Sequence, residues 1–285
     1  MARVNRWIAL LSAKYLLAPE DAYVLLWRRS PRNEIVATLA TRTCASGVVE
    51  YAAAKGIIEA LNDVSEPSTE IAIKAATSGQ FRVIRWMFAM GFPFDEHVSA
   101  AAAAGGHKYL LQWLRARGCP WTESSCALAA AYGHLDVLQW LRANGCSWDE
   151  ETCACAAGGG HIAVLRWARA NGCQWGKATC EMAAQNGHLA ALQWSRANGC
   201  PWDAWTCRNA AENGHLEVLQ WLRANGCPWD KWTCAAAARL GHLHVLQWAR
   251  ANDCPWDDQV FVRAKTNGHH EMLEWAIANG CPTSS

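Results

Sequence analysis

One interval governs this chain: a Gly-His pair returns every 27 residues, at His107, His134, His161, His188, His215, His242 and His269. Tryptophan keeps the same interval at Trp86, Trp113, Trp140, Trp167, Trp194, Trp221, Trp248 and Trp275. A second tryptophan series runs Trp121, Trp148, Trp175, Trp202, Trp229 and Trp256, with Phe94 in the same phase one period earlier. Cysteine makes two more series, one at Cys119, Cys146, Cys173, Cys200, Cys227, Cys254 and Cys281, the other at Cys126, Cys153, Cys180, Cys207 and Cys234. A fixed period of this length restricts the chain to a stack of small units. None can fold alone, and each buries its apolar surface against its neighbours.

Residues 203–226 show how one period folds. Asp203 is an N-cap, its carboxylate placed to accept a backbone N–H of the first helical turn. Asp95, Thr122, Asp149, Asp230 and Asp257 hold the same position, and Gly176 is a poorer substitute. A first helix runs through Trp205, Cys207 and the pair Ala210-Ala211 to Gly214, which suits the left-handed position that ends a helix. His215 opens the turn into a second helix, and Asn225-Gly226 closes it. That second helix leaves only Glu217, Gln220 and Arg223 as a polar line. A helix apolar over so much of its circumference must touch neighbours on both sides. No segment alternates with period two, so β-structure is not expected.

Residues 210–226, AAENGHLEVLQWLRANG, resemble the second half of an ankyrin repeat: paired alanines, Gly-His, aliphatics, then Gly. The chain departs from that family in its short unit and in lacking the Thr-Pro-Leu-His opening. Only Cys227-Pro228-Trp229-Asp230 separates Gly226 from the next helix. The resemblance implies an all-α, right-handed solenoid of helical hairpins with shortened or absent β-hairpin fingers. It also implies an interaction scaffold for proteins rather than an enzyme. The short, Trp- and Cys-rich pattern is similar to divergent ankyrin arrays of giant DNA viruses, algae and oomycetes, which makes a viral host-interaction protein one expectation.

Residues 43–285 are expected to form the array, with full units from about residue 70. Residues 43–63 read as a decayed unit, and Phe261 and Ile277 mark a modest last one. Residues 1–42 carry no repeat mark and read as an N-terminal helical cap. The alternative is a degenerate F-box-like segment, which would make the protein a substrate adaptor recruiting a bound protein to a larger complex such as a ubiquitin ligase.

Composition excludes several chemistries. The 14 cysteines would suit a secreted disulfide framework, but Lys14 interrupts the apolar run after Arg3 and Arg6 and no clean cleavage site follows. A cytoplasmic protein with free thiols is expected, since no stretch is long and apolar enough for a membrane. Equivalent cysteines of adjacent units stand about 10 Å apart, too far for disulfides along the stack. Their C-x6-C spacing is not that of a zinc site. The histidines read as turn residues that satisfy backbone groups and contact the next unit, with His244 and His270 exposed. Arg115, Arg142, Arg169, Arg196, Arg223 and Arg250 sit in last helical turns, where the helix dipole favours a cation and the stem can cover a tryptophan. A net charge of +1 gives no general attraction to nucleic acid. No phosphate loop, nucleophile elbow or HExxH is present. Neither a cofactor nor a metal nor a small-molecule substrate is expected.

Positions shared by every unit serve the stack, so a partner should be read where units differ. One variable slot opens the first helix: Glu123, Ser124, Glu150, Glu151, Lys177, Ala204, Trp205, Lys231, Trp232, Asp258 and Gln259. Another lies toward its far end: Glu181, Met182, Gln185, Arg208, Asn209, Glu212, Arg239 and Leu240. Within these slots the candidate binding residues are Trp205, Trp232, Lys231, Arg208, Asn209, Glu181, Met182, Glu150, Glu151 and Lys177. Trp205 and Trp232 are additional to both tryptophan series and stand at equivalent positions. Either they form an exposed hot spot beside arginine, or they pack on each other between units.

Overall fold

The chain's own capping pattern predicts where each helix begins and ends, and the computed structural model, which describes residues 68–283, follows it. The expected cap at 1–42, the decayed unit at 43–63 and Cys44 lie outside the described residues. Among the described residues every regular element is a helix.

The chain divides into two units, Met1–Ser125 and Cys126–Ser285. The first contains α1 (Thr69–Thr77), α2 (Phe81–Ala89), α3 (Glu96–Ala104) and α4 (Lys108–Ala116), and α5 (Glu123–Ala131) begins at its end. Within it α1 packs on α3, and each of these packs on the helix that follows it.

The second unit continues with α6 (Leu135–Ala143), then four hairpins. These are α7 (Glu150–Gly158) with α8 (Ile162–Ala170), α9 (Lys177–Gln185) with α10 (Leu189–Ala197), α11 (Ala204–Glu212) with α12 (Leu216–Ala224), and α13 (Lys231–Leu240) with α14 (Leu243–Ala251). A fifth hairpin, α15 (Asp258–Thr266) with α16 (His270–Ala278), follows. The first helices form a continuous row, α7 on α9, α9 on α11, α11 on α13 and α13 on α15.

Packing follows the sequence pattern. The alanine pairs Ala183-Ala184, Ala210-Ala211 and Ala237-Ala238 are fully buried, which lets consecutive first helices approach closely. Val218, Leu219 and Leu222 are buried on α12, while Glu217 and Gln220 face solvent. The N-caps are as expected: Asp149, Asp203, Asp230 and Asp257 accept backbone N–H groups of their own first turns. At Gly176 no side-chain cap exists.

Glycine ends these helices for two reasons at once. Gly214 has φ +78, the left-handed conformation, and a Cβ there would stand 2.7 Å from Nδ1 of His242 in the next hairpin. The Gly-His repeat therefore works between hairpins: each histidine ring lies over the glycine of the hairpin before it. His215 Nε2 lies 3.0 Å from the Gln185 carbonyl and His269 Nε2 3.1 Å from the Arg239 carbonyl. The turn histidine thus reaches the preceding hairpin, where sequence reasoning had it contact the next. The preceding first helix ends in carbonyls with no intrahelical donor, and the imidazole N–H supplies one. Burial, with neighbouring histidines adding to it, lowers the pKa of His242.

The cysteines are a second clip. Cys173, Cys200, Cys227 and Cys254 donate their thiols to the carbonyls of Asp149, Gly176, Asp203 and Asp230, at 3.1, 3.3, 3.4 and 3.5 Å. Each acceptor is the N-cap of the preceding first helix. The two cysteine series also meet, but not at the C-x6-C spacing. Cys207 faces Cys227, and its Sγ stands 4.0 Å from the Cys227 carbonyl. The hydrogen bond to Cys227 and burial raise the pKa of the Cys207 thiol, and Cys153, Cys180 and Cys234 stand in the same relation to Cys173, Cys200 and Cys254. The same hydrogen bonds lower the pKa of the partners Cys173 and Cys200, and all of these thiols are small buried hydrophobes with weak hydrogen bonds.

Candidate functional site on the first-helix row

The row of first helices in the Cys126–Ser285 unit gathers the variable positions, and the caps set their directions. The Trp205 N–H donates to Asp203 Oδ1 at 2.9 Å, and the Trp232 N–H to Asp230 Oδ1 at 3.0 Å. The other oxygen of each cap carboxylate takes a cation from the preceding hairpin. Lys177 Nζ reaches Asp203 Oδ2 at 2.8 Å, Arg208 Nη2 reaches Asp230 Oδ2 at 3.0 Å, and Lys231 Nζ reaches Asp257 Oδ2 at 2.8 Å. One carboxylate therefore fixes its own helix start and ties it to the neighbour.

These ties aim a row of alternating aromatic and cationic groups. The Arg208 guanidinium lies 3.9 Å from the Trp205 ring centroid and 5.8 Å from that of Trp232. On the other side, Arg263 stands 5.5 Å from the Trp232 ring, as does the Lys231 ammonium. Trp205, Arg208, Trp232 and Arg263 thus span α11, α13 and α15. The two candidate tryptophans do not share an environment. Trp232 is half-buried among cations of both flanking helices, whereas Trp205 is 54% exposed. Cation–π contacts of this kind are worth about 0.5–1 kcal/mol at exposed sites and more when desolvated. They hold each ring in one orientation.

The remaining candidates divide. Glu181 is half-buried, and burial followed by the nearby Asp203 carboxylate raises its pKa, partly offset by Lys177. Asn209 accepts a hydrogen bond on its carbonyl from Asn213 Nδ2 at 3.0 Å. Glu151 is exposed in the first turn of α7. Glu150 does something sequence did not disclose. Its Oε2 lies 2.8 Å from where a Gly176 Cβ would sit, so it covers the N-terminus of α9, the helix whose cap glycine has no carboxylate. Met182 is half-buried. Its Cβ and Cε lie 3.2 and 3.3 Å from the place of a Gly158 Cβ, so it packs into the space that glycine leaves on α7.

Sequence reasoning missed Arg263 as part of the cluster. Its register is that of Met182, Asn209 and Ala236, and a lone cation among small or neutral residues was the available signal. Arg239, paired with Glu212, and the exposed Leu240 extend the surface at the far end of α13. Among the described residues no group of three or more His, Cys, Asp or Glu side chains could hold a metal. No helix there is long and apolar enough to cross a membrane.

Residues 180–223 match the family of ankyrin repeats in many copies. No match was found among curated proteins. Among solved structures, the human ASB11 ankyrin repeat domain is similar at a TM-score of 0.48 and 17% identity, over 62% of this chain and 96% of that one.

Proposed function

We propose that this chain is an ankyrin-repeat protein and that it holds a protein partner on the first-helix row of its Cys126–Ser285 unit, with Trp205 as the anchor. Ankyrin repeats generally mediate protein–protein interaction, and their fold is typically a non-enzymatic scaffold. The observation that carries the reading is a large aromatic side chain left 54% exposed on a helix fixed at both ends, its ring backed by Arg208. An aromatic of this size beside arginine supplies contact area at small entropic cost, which is how interface hot spots are built. Arg208 sets positive charge beside it, and Lys231 and Arg263 do the same at the neighbouring Trp232, so the partner segment presents an apolar group with a carboxylate nearby. The buried free thiols support a reducing compartment, the cytoplasm among them. Recruitment of that partner to a larger complex would fall to residues 1–42, whose removal would then cost a second set of partners.

The test is affinity purification with the full chain and with Trp205→Ala, each partner then being made pure and titrated. Trp205→Ala is expected to weaken the principal partner at least about tenfold, the usual scale of a hot-spot truncation, with an unchanged thermal melt. Trp232→Ala is expected to lower the melt instead. An undiminished affinity for Trp205→Ala would overturn the assignment.

A further inference from the structure

The second helices of the same unit carry a different surface, one that repeats instead of varying. On each of these helices except α16, where Ile277 takes the place, a last-turn arginine folds back on the tryptophan that follows it. The guanidinium-to-centroid distances are 4.2 Å for Arg142 and Trp148, 4.2 Å for Arg169 and Trp175, 4.2 Å for Arg196 and Trp202, 4.1 Å for Arg223 and Trp229, and 4.3 Å for Arg250 and Trp256. Each of those tryptophans then meets, edge to face, the tryptophan of the next second helix. Those centroids are 5.7 Å apart for Trp148 and Trp167, 5.8 Å for Trp175 and Trp194 and for Trp202 and Trp221, 5.9 Å for Trp229 and Trp248, and 6.0 Å for Trp256 and Trp275.

Between two such helices lies an open recess of about 310 Å3 lined by Gln139, Arg142, Ala143, Trp148, Trp167 and Asn171. The same six residue types recur at Gln193, Arg196, Ala197, Trp202, Trp221 and Asn225, and again one and two periods later. One period departs: Arg166 replaces the glutamine and stands 5.8 Å from the Trp194 ring. The tryptophans are half-buried, so each rung shows part of an indole to solvent. No carboxylate lines the recess.

We propose that this stripe binds an acidic, proline-rich segment of another protein in the polyproline II conformation, one turn of the ligand to each repeat. Three observations lead there. A surface that repeats its arginine and tryptophans from rung to rung selects a ligand that is itself periodic. Packed helices stand about 8–10 Å apart, and one turn of polyproline II, three residues at 3.1 Å, is about 9 Å. A proline every third residue therefore meets successive recesses in register. Proline rings dock in aromatic-lined grooves at little cost in conformational entropy, because the ligand is extended beforehand. The charge is complementary too, since the lining of the recess carries a guanidinium and no acid, and a glutamate on the neighbouring edge of the ligand would face it. The arginine keeps one nitrogen on the backbone, as where Arg196 Nη1 donates to the Cys200 carbonyl at 3.2 Å, which leaves its remaining N–H groups for the ligand.

The test titrates the full chain against fluorescein-labelled peptides of two, three, four and five Pro-Pro-Glu triplets, read by anisotropy. Affinity is expected to rise with each triplet, by roughly a hundredfold from two to five, because successive contacts become intramolecular. Equal binding of a composition-matched peptide with its glutamates grouped at one end, or of Pro-Pro-Lys triplets, would overturn the proposal. So would tighter binding of an oligothymidine, which would make the stripe a single-strand nucleic-acid surface. Tryptophan substitutions here endanger folding, so the informative variant is Gln139→Glu with Gln193→Glu, Gln220→Glu and Gln247→Glu, all exposed at the lip. It is expected to lose at least about tenfold in affinity for the acidic peptide with an unchanged melt, since like charges across an interface oppose binding. Unchanged affinity would sink the idea. Trp205→Ala is expected to leave this binding intact, and its loss in that variant would move the ligand to the first-helix row and also overturn the proposal.

Discussion

At the scale of single residues, the Gly-His repeat shows what a sequence period conceals. The two letters are adjacent in the chain, which invites a reading as one turn. In space the glycine of one hairpin is matched with the histidine of the next, Gly214 with His242 and Gly187 with His215. Sequence told that both positions were constrained; it could not tell that the constraint runs between hairpins, because period alone does not say which copy meets which. The cysteines teach the same lesson, since Cys207 finds Cys227 and not the cysteine seven residues away in register. Asp253 is the exception that measures the rule. It holds φ +63 where the other hairpins use glycine at the end of the second helix. Gly214→Ala tests the double demand. The left-handed backbone should cost about 1–2 kcal/mol, and displacement of the imidazole adds to it. In a His242→Ala background only the backbone share is expected to remain, visible as a smaller fall in the urea midpoint. Equal falls in both backgrounds would show that the ring imposes nothing on the glycine.

The first helices were legible at the scale of elements because their caps are local chemistry. Aspartate before a helical run predicted five starts in the described chain, at Asp95, Asp149, Asp203, Asp230 and Asp257, and each carboxylate accepts a first-turn N–H. What stayed hidden was the second use of the same carboxylates as acceptors for Lys177, Arg208 and Lys231 of the helix before. That depends on the row of first helices lying side by side, which no window of sequence contains. The candidate site was legible to the same degree: the variable slots located Trp205, Arg208 and Trp232, but not which tryptophan would be enclosed. Asp203 separates its two jobs by substitution. Asp203→Asn keeps a capping oxygen and loses the Lys177 partner, a solvent-screened pair whose loss is expected to change stability little. Asp203→Ala loses both, and about 1 kcal/mol is expected, mostly from the cap. Hydrogen exchange of the first-turn amides of Ala204–Glu212 reads the difference. Similar protection in the two variants would mean that the tie between hairpins, and not the cap, holds that helix start.

For the whole molecule the consequence is that stability is assembled from neighbours, and the cysteines report on it. Each hairpin of the Cys126–Ser285 unit from α7 onward is followed by a cysteine that donates its thiol to the cap carbonyl of that hairpin's own first helix, so every hairpin is closed by its own sulfur. Of the 13 cysteines in the described chain only Cys155 is not buried, and burial, then Glu151 and Asp149, push its thiol up to about 11. Apart from Cys155, an alkylating reagent therefore meets only buried sulfurs in the folded stack, and labelling must wait for a hairpin to open. If the unit behaves as a row of nearest-neighbour contacts, a hairpin with one neighbour opens more often than a hairpin with two. Cys281, which follows α16 and closes on Asp257, the cap of α15, belongs to a hairpin flanked on one side only among the described residues. Cys207 and Cys227 lie in the interior of the row. Pulse labelling followed by mass spectrometry is expected to modify Cys281 first and Cys207 and Cys227 markedly later, with the gap narrowing as urea is raised toward global unfolding. A single rate shared by all three would show that the hairpins open together, and the neighbour-by-neighbour account of this repeat would have to give way to one cooperative unit.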